Sequence, residues 1–147
     1  MRGVYLASVC LHIFAAMTWV GGMVIFIVAV MPYLRTQDDR ARAAFLQWFG
    51  RRFRAVSWTC LAILVVTGAL NLWMRGVRLD DFLRPEWRAT TFGHLVMMKL
   101  GLVAVVFAIA GIHERTATPA RARWLGRSLL LLGVAIVAIA VGLVRAA

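Results

Sequence analysis

Residues 4–31 read Val4-Tyr-Leu-Ala-Ser-Val-Cys-Leu-His12-Ile-Phe-Ala-Ala-Met-Thr-Trp19-Val-Gly21-Gly22-Met-Val-Ile-Phe-Ile-Val-Ala-Val-Met31, a stretch without a formally charged side chain. A helix needs roughly 20 apolar residues to cross a hydrocarbon core of about 30 Å, so this run is long enough to span a bilayer. It is also too long for a cleaved signal segment, and it reads as a retained helix. Three further apolar runs occupy residues 55–74, 93–112 and 128–144. None shows the period-two alternation and frequent turn signals of a membrane barrel strand. Helices are the other way to satisfy every backbone hydrogen bond inside lipid. The expected fold is therefore all-α: an integral membrane four-helix bundle, a single four-span domain over residues 1–147.

Composition points the same way. The chain has 147 residues, 63% hydrophobic and 16% charged, with a mean hydropathy of +0.83. A soluble domain is about 45–50% apolar and about 25% charged. The net charge of +11 is not a nucleic-acid footprint, because all the arginines lie outside the apolar runs. Ten arginines fall between runs one and two (Arg35, Arg40, Arg42, Arg51, Arg52, Arg54) and between runs three and four (Arg115, Arg121, Arg123, Arg127), against six elsewhere. The positive-inside rule then makes those two loops cytoplasmic and puts both termini on the outer, periplasmic side.

The loops carry some order of their own. Phe45, Trp48, Phe49 and Phe53 recur at helical spacing beneath the arginines, which predicts either a helix lying in the interface or a cytoplasmic extension of the second span. Phe82, Leu83, Pro85 and Trp87 are expected at the opposite membrane surface, with Thr90 or Thr91 capping the third span. Cys10 and Cys60 fall at different depths, which disfavours a disulfide and makes them small packing residues.

The polar content of the spans carries the functional information. All six acids are expected in loops, leaving no candidates for a carboxylate relay. The ionisable groups at membrane depth are His12, His94 and Lys99, the last being the only lysine in the chain. Ser8, His12, Ala15 and Trp19 share one helix face, and Gly21 with Gly22 invites a close neighbouring backbone. At 1.5 Å per residue, His12 lies about 12 Å below the outer end of its span and Lys99 about 9 Å below its own. The expectation is an outward-opening site with His12, His94, Met97 and Met98 as metal ligands and Lys99 and Trp19 as cofactor contacts. Each residue has a plainer reading: an interhelical hydrogen bond for His12, an interfacial position for His94, a snorkelling stem for Lys99, and core filling for both methionines. His113 complements a helix C-terminus.

The segment from His12 through Trp19 to Gly21-Gly22, followed by Pro32 and Arg35, resembles the first helix of the copper-resistance protein D family. Arg52-Phe53 with Ser57, then Gly68, then Phe92-Gly93 leading to Lys99-Leu100 are similar to that family's later elements, so the resemblance covers roughly residues 5 to 115 and thins over the fourth span. It implies binding or movement of copper at the outer face of a bacterial inner membrane. A periplasmic copper-binding protein or a larger membrane complex would be the partner, with the lipid bilayer as surroundings. Imidazole and thioether are suitable copper ligands.

A second reading comes from the charge of Lys99, which would repel copper but could neutralise a propionate of haem b held in the bundle. The histidine-to-tryptophan spacing of the first run is also similar, more loosely, to the bacterial HemJ-type four-helix protoporphyrinogen oxidase family. That resemblance implies a haem-linked oxidoreductase or electron-transfer subunit. A third reading is a structural accessory subunit, with Gly101, Ala104, Ala108 and Gly111 as a close-packing face.

Overall fold

The structure, a computed structural model, describes residues 2–115 and 119–145. Among the described residues every regular element is helical. Four helical stretches are long and apolar enough to cross a membrane: Arg2–Arg35, Asp39–Met74, Thr91–His113 and Arg123–Arg145. The chain forms two compact units, one up to Val77 and one from Arg78 onward.

The first unit contains α1 (Arg2–Ile25), a π-helical turn (Phe26–Val30), α2 (Met31–Arg35) and α3 (Asp39–Met74). A tight turn separates α2 from α3, with Thr36 N–H donating to the Tyr33 carbonyl at 3.0 Å. Asp38 caps α3 by accepting from Ala41 N–H at 2.9 Å, and Asp39 pairs with Arg42 in the first turn. This cap starts the helix well ahead of residue 55. Hydropathy marks where lipid begins, whereas capping chemistry marks where the helix begins. With 36 residues α3 is about 54 Å long, well beyond a hydrocarbon core of about 30 Å.

The aromatic stripe therefore belongs to a continuous extension of the second span. Phe49 stacks on Phe26 across the helix pair, with centroids 4.7 Å apart. Phe45 and Phe53 stack on Phe49 from either side, at 5.8 and 5.4 Å. The Phe53 ring also fills the space at Gly22, where a Cβ would stand 2.7 Å from it. Thus Gly22 admits an aromatic ring rather than a neighbouring backbone, while among the described residues nothing lies within 4 Å of a Cβ at Gly21. Along α1 the buried residues are Ser8, Ala15, Trp19 and Met23, the face that the three-and-four spacing picked out.

The second unit contains a 3₁₀ turn (Leu79–Leu83), α4 (Pro85–Ala89), α5 (Thr91–Arg115) and α6 (Pro119–Arg145). Asp81 accepts from Arg78 N–H at 2.8 Å and pairs with Arg84 at 3.3 Å. Arg84 also pairs with Asp80. Trp87 lies edge-on between Phe82 and Phe92, at 5.2 and 6.3 Å. Thr90 is the cap of α5, its hydroxyl accepting from Gly93 N–H at 3.0 Å. A Cβ at Gly93 would stand 2.0 Å from the Trp87 carbonyl oxygen, so the α4–α5 corner closes only around a glycine.

Helix α5 buries Val96 and Val106, and its Leu95 reaches Gly142 of α6, 3.6 Å from where a Cβ would sit. Within the second unit the small-residue stripe of the third span is not the face that carries the buried residues Val96 and Val106. Among the described residues nothing lies within 4 Å of a Cβ at Gly101 or Gly111. Large apolar side chains lie outward along all four long helices, Phe14, Val66, Val105 and Leu131 among them. In water such continuous apolar surface would be a liability, and in a bilayer it is the wall that meets lipid. The acids also sit differently from expectation: Asp39 opens α3, Glu86 lies in α4 and Glu114 in the last turn of α5.

Candidate functional site

In an apolar span, a polar side chain stands out by the partner it needs. His12 lies midway along α1, half-buried, on the face that carries Ser8, Ala15 and Trp19. Its Nδ1 lies 2.8 Å from Thr67 Oγ1 of α3. Thr67 is buried, and its hydroxyl donates to the Ile63 carbonyl one turn back, at 2.6 Å. A hydroxyl has one proton to give. When the Thr67 hydroxyl gives it to Ile63, it accepts from His12, and in that arrangement Nδ1 carries the ring proton. In the neutral imidazole Nε2 is then the nitrogen with the lone pair, the form in which histidine ligates metals. A hydrogen bond at the far nitrogen that fixes tautomer and ring orientation is the usual second support of a histidine ligand.

Gly68 completes this arrangement. A Cβ there would sit 3.5 Å from His12 Cε1, so the glycine leaves the ring edge room between its two nitrogens. Neither Thr67 nor Ile63 carries a charge or a soft donor atom that would mark it in the sequence. The available signal was a hydroxyl next to a glycine inside an apolar run. Trp19 is 5% exposed on the same face of α1, away from the aqueous surface.

The remaining candidates lie in the second unit, all on α5. His94 is exposed in its first turns, and its backbone N–H donates to the Thr90 carbonyl at 2.9 Å. Met97 and Met98, three and four residues on, are exposed as well, so the three side chains share one face. Lys99 is half-buried and falls on the other side, in line with buried Val96 and Val106 at helical spacing. Among the described residues, no three of the histidine, cysteine, aspartate and glutamate side chains cluster as a metal site.

Residues 47–145 match the family described as copper resistance protein D. The chain belongs to this family. As a copper resistance protein D relative with four helices able to span, it is a multi-pass membrane protein. The match begins within α3 and runs to the end of α6, so it includes the fourth span, where the sequence resemblance was expected to thin. The first-helix segment around His12 lies outside the matched residues. An uncharacterized protein of Aquifex aeolicus (strain VF5) is 30% identical over 137 residues, covering 86% of each chain. No solved structure matches the chain.

Proposed function

We propose that this copper resistance protein D relative takes copper as cargo at the membrane and contacts it through the Nε2 atom of His12. The observation that carries the reading is the chain from His12 Nδ1 to Thr67 Oγ1 to the Ile63 carbonyl, which supports Nε2 as the ligating nitrogen. In the second unit, His94 with Met97 and Met98 forms a separate imidazole and thioether face of the softness that suits copper. The arginine distribution supports an orientation with both termini outward, in a bacterial inner membrane. A periplasmic copper-binding protein or a larger membrane complex is the partner that this orientation suggests.

The test is metal analysis of purified protein loaded with Cu(I), in wild type and in His12→Ala and His94→Ala. Loss of most bound copper in His12→Ala is the expected result. Copper retained in both variants overturns the assignment. An absorption spectrum of the same preparation, with and without dithionite, covers the competing haem b reading. A Soret band that shifts on reduction replaces copper with haem, and Lys99 then becomes the candidate propionate contact.

A further inference from the structure

Polar contacts between α1 and α3 recur along one seam. At one end, Arg75 Nε donates to the Tyr5 hydroxyl at 3.2 Å. About two turns farther along α1 is the His12–Thr67 bond. The two helices run antiparallel here, and stepping back one turn from each partner of that bond gives Ser8 on α1 and Asn71 on α3. Ser8 is 6% exposed, and its Oγ is buried with no hydrogen-bond partner among the described residues. Asn71 Oδ1 is in the same condition. Two orphaned polar atoms at one level, between two satisfied polar pairs, form a coherent feature. Buried polar groups are rarely left without partners, and least of all at membrane depth.

A cavity opens at the end of the same helix pair. Its volume is about 660 Å³, and Arg2, Val4, Tyr5, Trp73 and Met74 line it. The cavity, the Ser8–Asn71 level and the His12–Thr67 bond thus follow one another along the seam. We infer that Ser8 and Asn71 hold water, and that this step connects the cavity with His12 as a hydrated path into the α1–α3 pair. A water can donate to Asn71 Oδ1 and exchange a second bond with the Ser8 hydroxyl, satisfying both atoms at once. The guanidinium of Arg2 at the cavity, with Arg75 beside Tyr5, disfavours a bare cation there. The path hydrates His12 and exchanges its protons. This inference does not depend on His12 binding copper.

The test is thiol accessibility in lipid nanodiscs without added metal. Ser8→Cys and Asn71→Cys are made in a Cys10→Ala, Cys60→Ala background and treated with the small anionic reagent 2-sulfonatoethyl methanethiosulfonate. Leu11→Cys is the control, at similar depth on α1 but on its outward, apolar side. A thiol in hydrocarbon does not ionise and so does not react. The expected result is labelling at positions 8 and 71 at least about tenfold faster than at position 11. Adding Asn71→Leu to Ser8→Cys should slow labelling at position 8 at least about fivefold. Circular dichroism and monodisperse elution establish that each variant is folded, and Asn71→Cys provides the reading if Ser8→Cys is not. Labelling at both positions no faster than at Leu11→Cys would mean that Ser8 and Asn71 are dry interhelical glue, and it overturns the inference. Because no copper enters this experiment, its failure leaves the copper assignment to be judged on metal analysis alone.

Discussion

The Thr67 hydroxyl stands between two acceptor-capable groups, 2.8 Å from His12 Nδ1 and 2.6 Å from the Ile63 carbonyl. With its single proton given to Ile63, it accepts from Nδ1 and leaves the lone pair of a neutral ring on Nε2. Thr67→Val keeps the side chain's shape and removes this instruction. Cu(I) affinity, measured by chelator competition, should fall about 10–100-fold, the usual consequence of losing the group that orients a histidine ligand. Thr67→Ser should restore it. Wild-type affinity in Thr67→Val would mean that the threonine plays no part in ligation.

The corner between α4 and α5 gives a prediction about stability. Gly93→Ala would drive a methyl group to within 2.0 Å of the Trp87 carbonyl oxygen, in backbone that cannot give way cheaply. Thermal unfolding in detergent should show a loss of about 1–3 kcal/mol, the ordinary range for overpacking. Gly101→Ala, with open space at its Cβ position, should be neutral or stabilising by up to about 1 kcal/mol through helix propensity.

Phe26 and Phe49 stack with centroids 4.7 Å apart and an interplanar angle of 14°. A double-mutant cycle of Phe26→Leu with Phe49→Leu should give a coupling of about 0.5–1.5 kcal/mol, the range for aromatic pairs beyond their buried area. Trp48→Leu, at a residue 52% exposed, should couple with Phe26→Leu far less. Equal coupling would mean that the stack is incidental to how α1 and α3 pair.

The spans were legible in the sequence because crossing lipid is a property of composition over about 20 residues, and such runs can be counted. The beginning of α3 was legible only in part: the aromatic spacing left a cytoplasmic extension of the second span as one of two readings, and residues 39–54, rich in arginine, show no apolar run to mark the start that Asp38 caps. Helix partners were also beyond composition. An apolar stripe such as Gly101 to Gly111 looks equally ready to pack or to face lipid, and only the fold shows that α5 packs through Val96 and Val106. At the candidate site, the face of Ser8, His12, Ala15 and Trp19 followed from helical spacing. Its partner did not, because helical spacing places residues on one face and says nothing of which residue on another helix meets that face. His94, Met97 and Met98 were found through residue type, and the structure adds that Lys99 lies on a different side of the same helix.

The central proposal is that His12 Nε2 binds the cargo, and copper K-edge X-ray absorption of the Cu(I)-loaded protein addresses that bond itself. Wild type should show the outer-shell scattering of a coordinated imidazole, weakened in Thr67→Val and lost in His12→Ala, with His94→Ala retaining it. An imidazole signature unchanged in His12→Ala would contradict the proposal.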